Sequence, residues 1–535
     1  MTNGRGGGKS VGSLRWVLPF LLVLGAALRL GLFLAHRCLW TDEAWLALNI
    51  LHRGPSELLR PLEFDQVAPP GFLLLVKGAQ EVFGSSELAL RLVPLLLGLA
   101  SLPLFFSLAR RSLRPGAVPV ACLLFAIAEP LVLYATEVKP YSGDVAVALM
   151  LWWFASRVER FAPGPGFFLI FGLAGAAAIL FSYPAVFVLG GIGLGILLGA
   201  EAGRRSRVLA GLALSACFWG AGAVAVHSML LHDALQKARL TQYFTESVQG
   251  FPPGGLLAGA RWVLGRAFRL VEFPGGLDHG GLPILCVLVG AVTLARRDRR
   301  AVAAWMGAFA LALLAASAGV YPFEGRLVLF LVPAVYLLAA EGVEQIRSLL
   351  RFAPAGGSLV SGALVVLLLW HPVAGSFDGI KRPRHYEQLA PVLHHVSASR
   401  RPGDAVYMYY GAQYAARYYL ETRRFTLVDL PVSDLLASST EAVGSGWYAP
   451  ALVSRPPTFF VGSPSRGDWL GYGRQLDALA GLPRIWVIFS HVNPVFLGVD
   501  ERRLFLEHLD AAGTRLEAFE QPGASAFLYD LRPRR

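Results

Sequence analysis

Two carboxylates stand side by side in "LWTDEAWLALNILHRG" (39–54), Asp42 and Glu43. An ionised carboxylate within reach of a hydroxyl can take its proton, so this pair is a candidate for general-base work. A second constellation, "EVKPYSGD" (137–144), gathers Glu137, Lys139, Tyr141 and Asp144. Pro140 suits the first position of a helix, and a lysine beside an exposed helix N-terminus makes an anion site. A third candidate is Arg326 in "YPFEGRLVLFLVPAVYLL" (321–338), whose planar fork matches phosphate oxygens. A phosphate held at membrane depth would explain Lys139 and Arg326 together, and it would belong to a lipid. Gln66, ahead of "APPGF" (68–72), and Tyr183 in "SYP" (182–184) are further polar residues of the same kind of connection. Plainer readings compete. First-turn acids complement a helix dipole, a lysine snorkels, and an arginine anchors an interface. Asp144 resists them, because an ionisable group inside the start of an apolar span is costly and marks function by default.

The elements that position these residues follow from composition. The chain has 535 residues, is 55% hydrophobic and only 16% charged, with mean hydropathy +0.52. A soluble chain of this length carries more charge and divides into several domains. The apolar residues fall in blocks of roughly 17 to 25, the length that crosses a bilayer as a helix. Spans are expected near 15–35, 88–109, 116–133, 141–157, 166–182, 184–200, 207–229, 281–295, 301–320, 326–345 and 357–375. Basic residues sit in every second connection: Arg110 and Arg111, Arg157, Arg204 and Arg205, "RRDRR" (296–300), Arg347. This pattern predicts an internal N-terminus, about eleven crossings and an external C-terminal segment. The first apolar run is too long for a cleaved signal peptide and no small-residue cleavage site follows it. The net charge of +12 belongs mostly to internal loops and the external domain, and no basic stripe with interleaved aromatics points to nucleic acid. The four cysteines and the histidines at 227, 232, 279, 394 and 395 show no disulfide or metal-ligand spacing.

The predicted external connections are 36–87, 135–144, 182–184, 230–280 and 321–326, and they hold the acids, tyrosines and prolines. In the first, Thr41 is the expected N-cap of a helix that Gly54 ends. Its apolar make-up predicts that it lies along the interface. Adjacent residues on a helix do not share a face, so one acid can point into a cavity while the other orients or caps. Residues 376–535 change character. "DAVYMYY" (404–410), "RIWVIFS" (484–490) and "SAFLYDL" (525–531) read as strands. "HYEQLAPVLHHV" (385–396) and "DERRLFLEHLDAAG" (500–513) read as helices, which together make an α/β domain. The run "YMYYGAQYAARYYL" (407–420) is read as core with an amphipathic helix rather than as a sugar-stacking surface. The expected organisation is a membrane domain over 1–375, with external loops 36–87 and 230–280, and an external α/β domain over 376–535.

With "WTDEA", "QVAPPGF", "EVKPYSGD" and "GRLVLFLVP" on such a layout, the first 375 residues or so resemble the GT-C class of membrane glycosyltransferases. More closely they resemble bacterial members of glycosyltransferase family 39, related to protein O-mannosyltransferases and lipid A aminoarabinose transferases. The resemblance implies a polytopic helical GT-C-like domain in a bacterial plasma membrane. It implies inverting transfer of a sugar from a polyprenyl-phosphate donor to an extracytoplasmic acceptor: protein, lipid or glycan. It places Asp42, within the Asp42–Glu43 pair, as the base, Arg326 and Lys139 at the lipid phosphate, and Glu43, Glu137, Tyr141 and Asp144 around sugar and acceptor. Gln66 and Tyr183 join the substrate-binding set. One departure is visible: aminoarabinose transferases carry a lysine just before the Pro-Pro, where this chain has Ala68, so Lys139 is expected to take over that contact. No cofactor is required by the sequence, although so many acids are compatible with a divalent metal. The rival reading is a transporter or lipid flippase; the crowding of polar residues on one face and the lack of internal repeats weigh against it.

Overall fold

The computed structural model describes residues 8–158, 164–231, 244–245, 249–278, 281–350, 354–381, 387–436, 452–464, 469–492 and 498–533. Part of the expected 230–280 loop, His232 and His279, and the start of the 385–396 segment lie outside them.

Every expected apolar block forms helix. The helices used below are α1 (Gly8–Phe33), α2 (Thr41–His52), α3 (Pro70–Phe83), α4 (Glu87–Ser112), α5 (Val118–Ile127), α6 (Glu129–Tyr134), α7 (Tyr141–Val158), α8 (Pro165–Phe181), α9 (Ala185–Gly199) and α10 (Arg205–Val226). They continue with α11 (Leu256–Glu272), α12 (Gly281–Arg297), α13 (Arg299–Ser317), α14 (Val332–Leu349) and α15 (Pro354–Lys381). Among the described residues, five segments are long and apolar enough to cross a membrane by length and composition alone. Most of the others match or exceed their expected blocks, while α9, 15 residues at ~1.5 Å each, falls short of the ~30 Å hydrocarbon core. The block at 116–133 is divided at Ala128, where Pro130 opens a new helix. That break exposes last-turn carbonyls of α5, and buried Arg29 of α1 donates to Phe125 O and Ala126 O at 3.4 and 3.2 Å.

The C-terminal part is an α/β unit with a five-stranded sheet in the order β2-β1-β3-β5-β4. The strands are β1 (Ala405–Met408), β2 (Phe459–Val461), β3 (Ile485–Ser490), β4 (Thr514–Gln521) and β5 (Ala524–Asp530). β1 runs parallel to β2 and β3, while β5 is antiparallel to β3 and β4. The expected strands at 404–410, 484–490 and 525–531 are β1, β3 and β5. β2 is an edge strand whose apolar run, Phe459–Val461, is too short to signal a strand in sequence, and β4 is an edge strand whose side chains are mostly exposed. The tyrosines of 407–420 are buried, so this stretch is core and not a stacking surface. One apolar cluster runs through α2, α3 and the C-terminal unit and joins the two parts of the chain.

Candidate active site

α2 carries Asp42 and Glu43 on diverging faces, and both are buried. Thr41 is not the cap that the sequence predicts. Trp40 holds the N-cap position without a side-chain capping bond, and Thr41 Oγ1 instead donates to Gly411 O in the C-terminal unit at 3.1 Å. Nor does α2 lie along an interface: Thr41 to Ile50 are all buried. An interfacial helix would leave one face to lipid; this one is covered by the C-terminal unit, with Trp45 edge-on to Tyr414 at 5.7 Å.

Asp42 lies between two cations. Lys139 Nζ donates to Asp42 Oδ1 at 2.8 Å, and Arg326 Nη1 stands 2.8 Å from Oδ2. Lys139 also donates to Gln66 Oε1 at 2.7 Å. The Arg326 guanidinium packs over the rings of Tyr141 and Trp40, at 5.3 and 5.7 Å, an arrangement worth about 0.5–2 kcal/mol where desolvated. Burial alone would push the Asp42 carboxyl up; Arg326 and then Lys139 outweigh it and hold it well below the usual carboxylate range.

Glu43 turns the other way. Arg91 of α4 grips it with two bonds, Nε to Oε1 at 2.9 Å and Nη2 to Oε2 at 2.6 Å, with each side chain 1% exposed. Val138 N donates to the same Oε1 at 2.8 Å. Arg91 also donates to Arg37 O and Cys38 O, at 2.6 and 3.1 Å. Glu43 therefore ties together the chain entering α2, helix α4 and the 137–144 turn. Gly98 lets that turn approach α4, since a Cβ there would stand 2.5 Å from Ala135 Cβ.

Of the 137–144 set, Lys139 and Tyr141 join the Asp42 cluster directly. Glu137 is fully buried, and its two carboxylate oxygens have no hydrogen-bond partner among the described residues. Burial, then Glu43, push its carboxyl up to about 8. Asp144 sits one turn into α7 and faces Ser182 at the end of α8, beside the cluster rather than in it. Tyr183 OH donates to Ala68 O at 2.7 Å, fastening the Pro-Pro segment. Just before Gln66, Phe64 and Asp65 take left-handed φ of 59° and 51°. Such conformations are costly away from glycine and gather at functional sites.

The C-terminal unit contributes residues that sequence reasoning missed. Thr41 N donates to Glu387 Oε2 at 3.3 Å, and Glu387 Oε1 lies 2.7 Å from His491 Nδ1. Leu39 N donates to Tyr419 OH at 2.8 Å. These contacts fix the start of α2 one residue before Asp42. Arg91 was open to discovery as an arginine inside an apolar span; Glu387 and His491 carry no local signal at all. Among the described residues no three His, Cys, Asp or Glu side chains converge as a metal site would need.

Fold and cluster together define a polytopic helical membrane protein in which a buried carboxylate, Asp42, stands between two cations beneath an α/β unit. Residues 67–229 match the family model described as dolichyl-phosphate-mannose-protein mannosyltransferase. That stretch contains Glu137, Lys139, Tyr141, Asp144 and Tyr183, and the resemblance argued from sequence is met over it. Among solved structures the chain is similar to ArnT from Cupriavidus metallidurans in the apo state, at 13% identity and TM-score 0.49, covering 97% of this chain and 98% of that one. The same protein bound to undecaprenyl phosphate matches at 12% identity, TM-score 0.49 and the same coverage. An Archaeoglobus fulgidus oligosaccharyltransferase in complex with Zn and sulfate matches at 12% identity and TM-score 0.49, covering 96% of this chain and 73% of that one. Among curated proteins none matches.

Proposed function

We propose that this chain is an inverting glycosyltransferase that moves a sugar from a polyprenyl-phosphate donor to an acceptor hydroxyl on the outer face of a bacterial plasma membrane. The observation that carries the reading is Asp42 held between Lys139 and Arg326, at 2.8 Å from each. The family match over 67–229 supports the substrate class. In the reaction the acceptor O–H gives its proton to Asp42. The oxygen bonds to the anomeric carbon as the carbon–oxygen bond to phosphate breaks, and the lipid phosphate leaves as an anion. Arg326 and Lys139 stabilise that charge. In the resting site both cations are spent on Asp42, which makes it a weak base. A donor phosphate competes for the same cations and, by drawing them off, raises the basicity of Asp42 when a substrate is present.

In this reading Glu43 is a positioning residue, while Gln66, Glu137, Tyr141, Asp144 and Tyr183 surround sugar and acceptor. Lys139 takes the place left open by Ala68. No divalent metal is needed, because Asp42 already faces two positive charges; a metal would have to displace them. The basic ends of α4, α7 and α14, at Arg111, Arg157 and Arg347, lie at the far end of these helices from the cluster. By the charge bias of loops that end faces the cytoplasm, so the N-terminus is internal and the C-terminal unit external.

The test is incubation of the purified protein with a panel of polyprenyl-phosphate sugars and hydroxyl acceptors, scoring release of lipid phosphate. Release with one sugar, abolished in Asp42→Asn, is expected. Donor binding without release under every acceptor would return the chain to the lipid-transporter reading.

A further inference from the structure

At the end of the bundle opposite Asp42, the ends of α4, α7, α8, α9 and α13 line a cavity of about 280 Å³. Its character is amphipathic. Trp152, Phe167 and Trp305 line the inside, and Arg111, Arg204 and Arg300 line the rim. The stems of two arginines are fixed: Arg111 Nε donates to Ser156 O at 2.7 Å, and Arg300 Nη2 to Gly199 O at 2.8 Å. Gly199 is what allows Arg300 to lie there, since a Cβ would meet its Nε at 2.1 Å. Each guanidinium has five donors, so these single bonds leave several to meet another group. Two carboxylates share the rim, Glu201 and Asp298. Glu201 stands 3.7 Å from Arg204 Nε, and Asp298 caps α13 by accepting from Arg300 N and Ala301 N at 3.2 and 3.1 Å. The balance is three cations against two anions. Trp152, in the wall, is itself buried.

The geometry points to a binding site for an anionic phospholipid, its phosphate on the arginine rim and its glycerol-ester and acyl part against Trp152, Phe167 and Trp305. Charge decides the class: a basic pocket between helix ends recognises anionic head groups. A zwitterionic lipid brings its own cation to a rim that already has an excess.

The full-length protein in detergent is the material for the test, with native mass spectrometry reading bound lipid. The probes are phosphatidylglycerol, phosphatidylcholine with the same chains, and glycerol 3-phosphate. Retention of phosphatidylglycerol about tenfold above phosphatidylcholine is expected, as is its loss in Arg111→Gln/Arg204→Gln/Arg300→Gln. Arg204→Gln alone, at an exposed position, gives a partial loss should the triple variant fail to fold. Arg207→Gln, an exposed arginine outside the cavity, should leave retention unchanged. Equal retention of the two lipids, or equal loss in Arg207→Gln, would overturn the proposal in favour of general attraction to basic loops. Competition by glycerol 3-phosphate at the same concentration would overturn it in favour of a soluble phosphate ligand.

Discussion

Arg326 Nη1 stands 2.8 Å from Asp42 Oδ2, so the arginine suited to a lipid phosphate holds, in the resting protein, the carboxylate suited to take a proton. In the proposed reading, base and anion site are thereby coupled: whatever occupies one releases the other.

The first consequence is a split between binding and turnover. In Asp42→Asn the two cations lose their internal anion, so a donor lipid phosphate should bind at least as tightly as in the parent. Turnover should fall by ~10²–10⁴-fold, the usual worth of general-base help. Donor affinity by lipid-binding titration and single-turnover rates in the same detergent measure the two quantities. Near-normal turnover would remove Asp42 from the chemistry.

A second consequence concerns pH. Burial raises the Asp42 carboxyl, and Arg326 and Lys139 together pull it below its usual range. Removing one cation in Arg326→Ala lets it climb. The acid limb of the rate profile should therefore move to higher pH, and donor affinity should drop with loss of a charge-assisted contact. Arg326→Lys keeps a charge without the fork and should restore only part of that affinity. An acid limb that stays in place would mean that Asp42 is not the group being titrated.

Third, the Glu43–Arg91 pair should show itself in stability. With both side chains 1% exposed, Arg91→Ala leaves a buried carboxylate uncompensated and should cost about 3–5 kcal/mol. Glu43→Gln should also lower the unfolding temperature, and any loss of rate should come with that destabilisation. Thermal unfolding in detergent separates this pair from Asp42. A stable Glu43→Gln variant with abolished turnover would make Glu43 the reacting carboxylate instead.

Fourth, Glu137 makes stability depend on pH. Its ordinary value is 4.5, and burial followed by Glu43 push it up to about 8 in the folded chain. Between those values the folded state holds a proton that the unfolded state has lost, so stability should fall as pH rises from about 4.5 to about 8. Glu137→Gln, which stays neutral, should flatten that slope. Unfolding temperatures measured across this range would contradict the assignment if parent and variant ran parallel.

The sequence by itself determined the helical membrane layout, because hydrocarbon leaves the backbone no other means of satisfying its hydrogen bonds, and apolar length is visible locally. It also determined which residues could form the site. Asp42, Lys139 and Arg326 stand out because ionisable groups near apolar spans are costly, and the three converge at 2.8 Å. Spacing alone told that Asp42 and Glu43 diverge, yet not which of them meets the cations. Only the tertiary structure decided that, by bringing Arg91 of α4 to Glu43 and leaving Asp42 to Lys139 and Arg326. It also took α2 from the expected interface and buried it beneath Tyr414 and Tyr419. Thr41, a good cap by residue type, was turned to Gly411 O, and its N–H was given to Glu387. Residue type and local spacing govern helix formation and the cost of burying a charge; which partner a buried charge finds depends on segments far apart in the chain, and only packing brings those together.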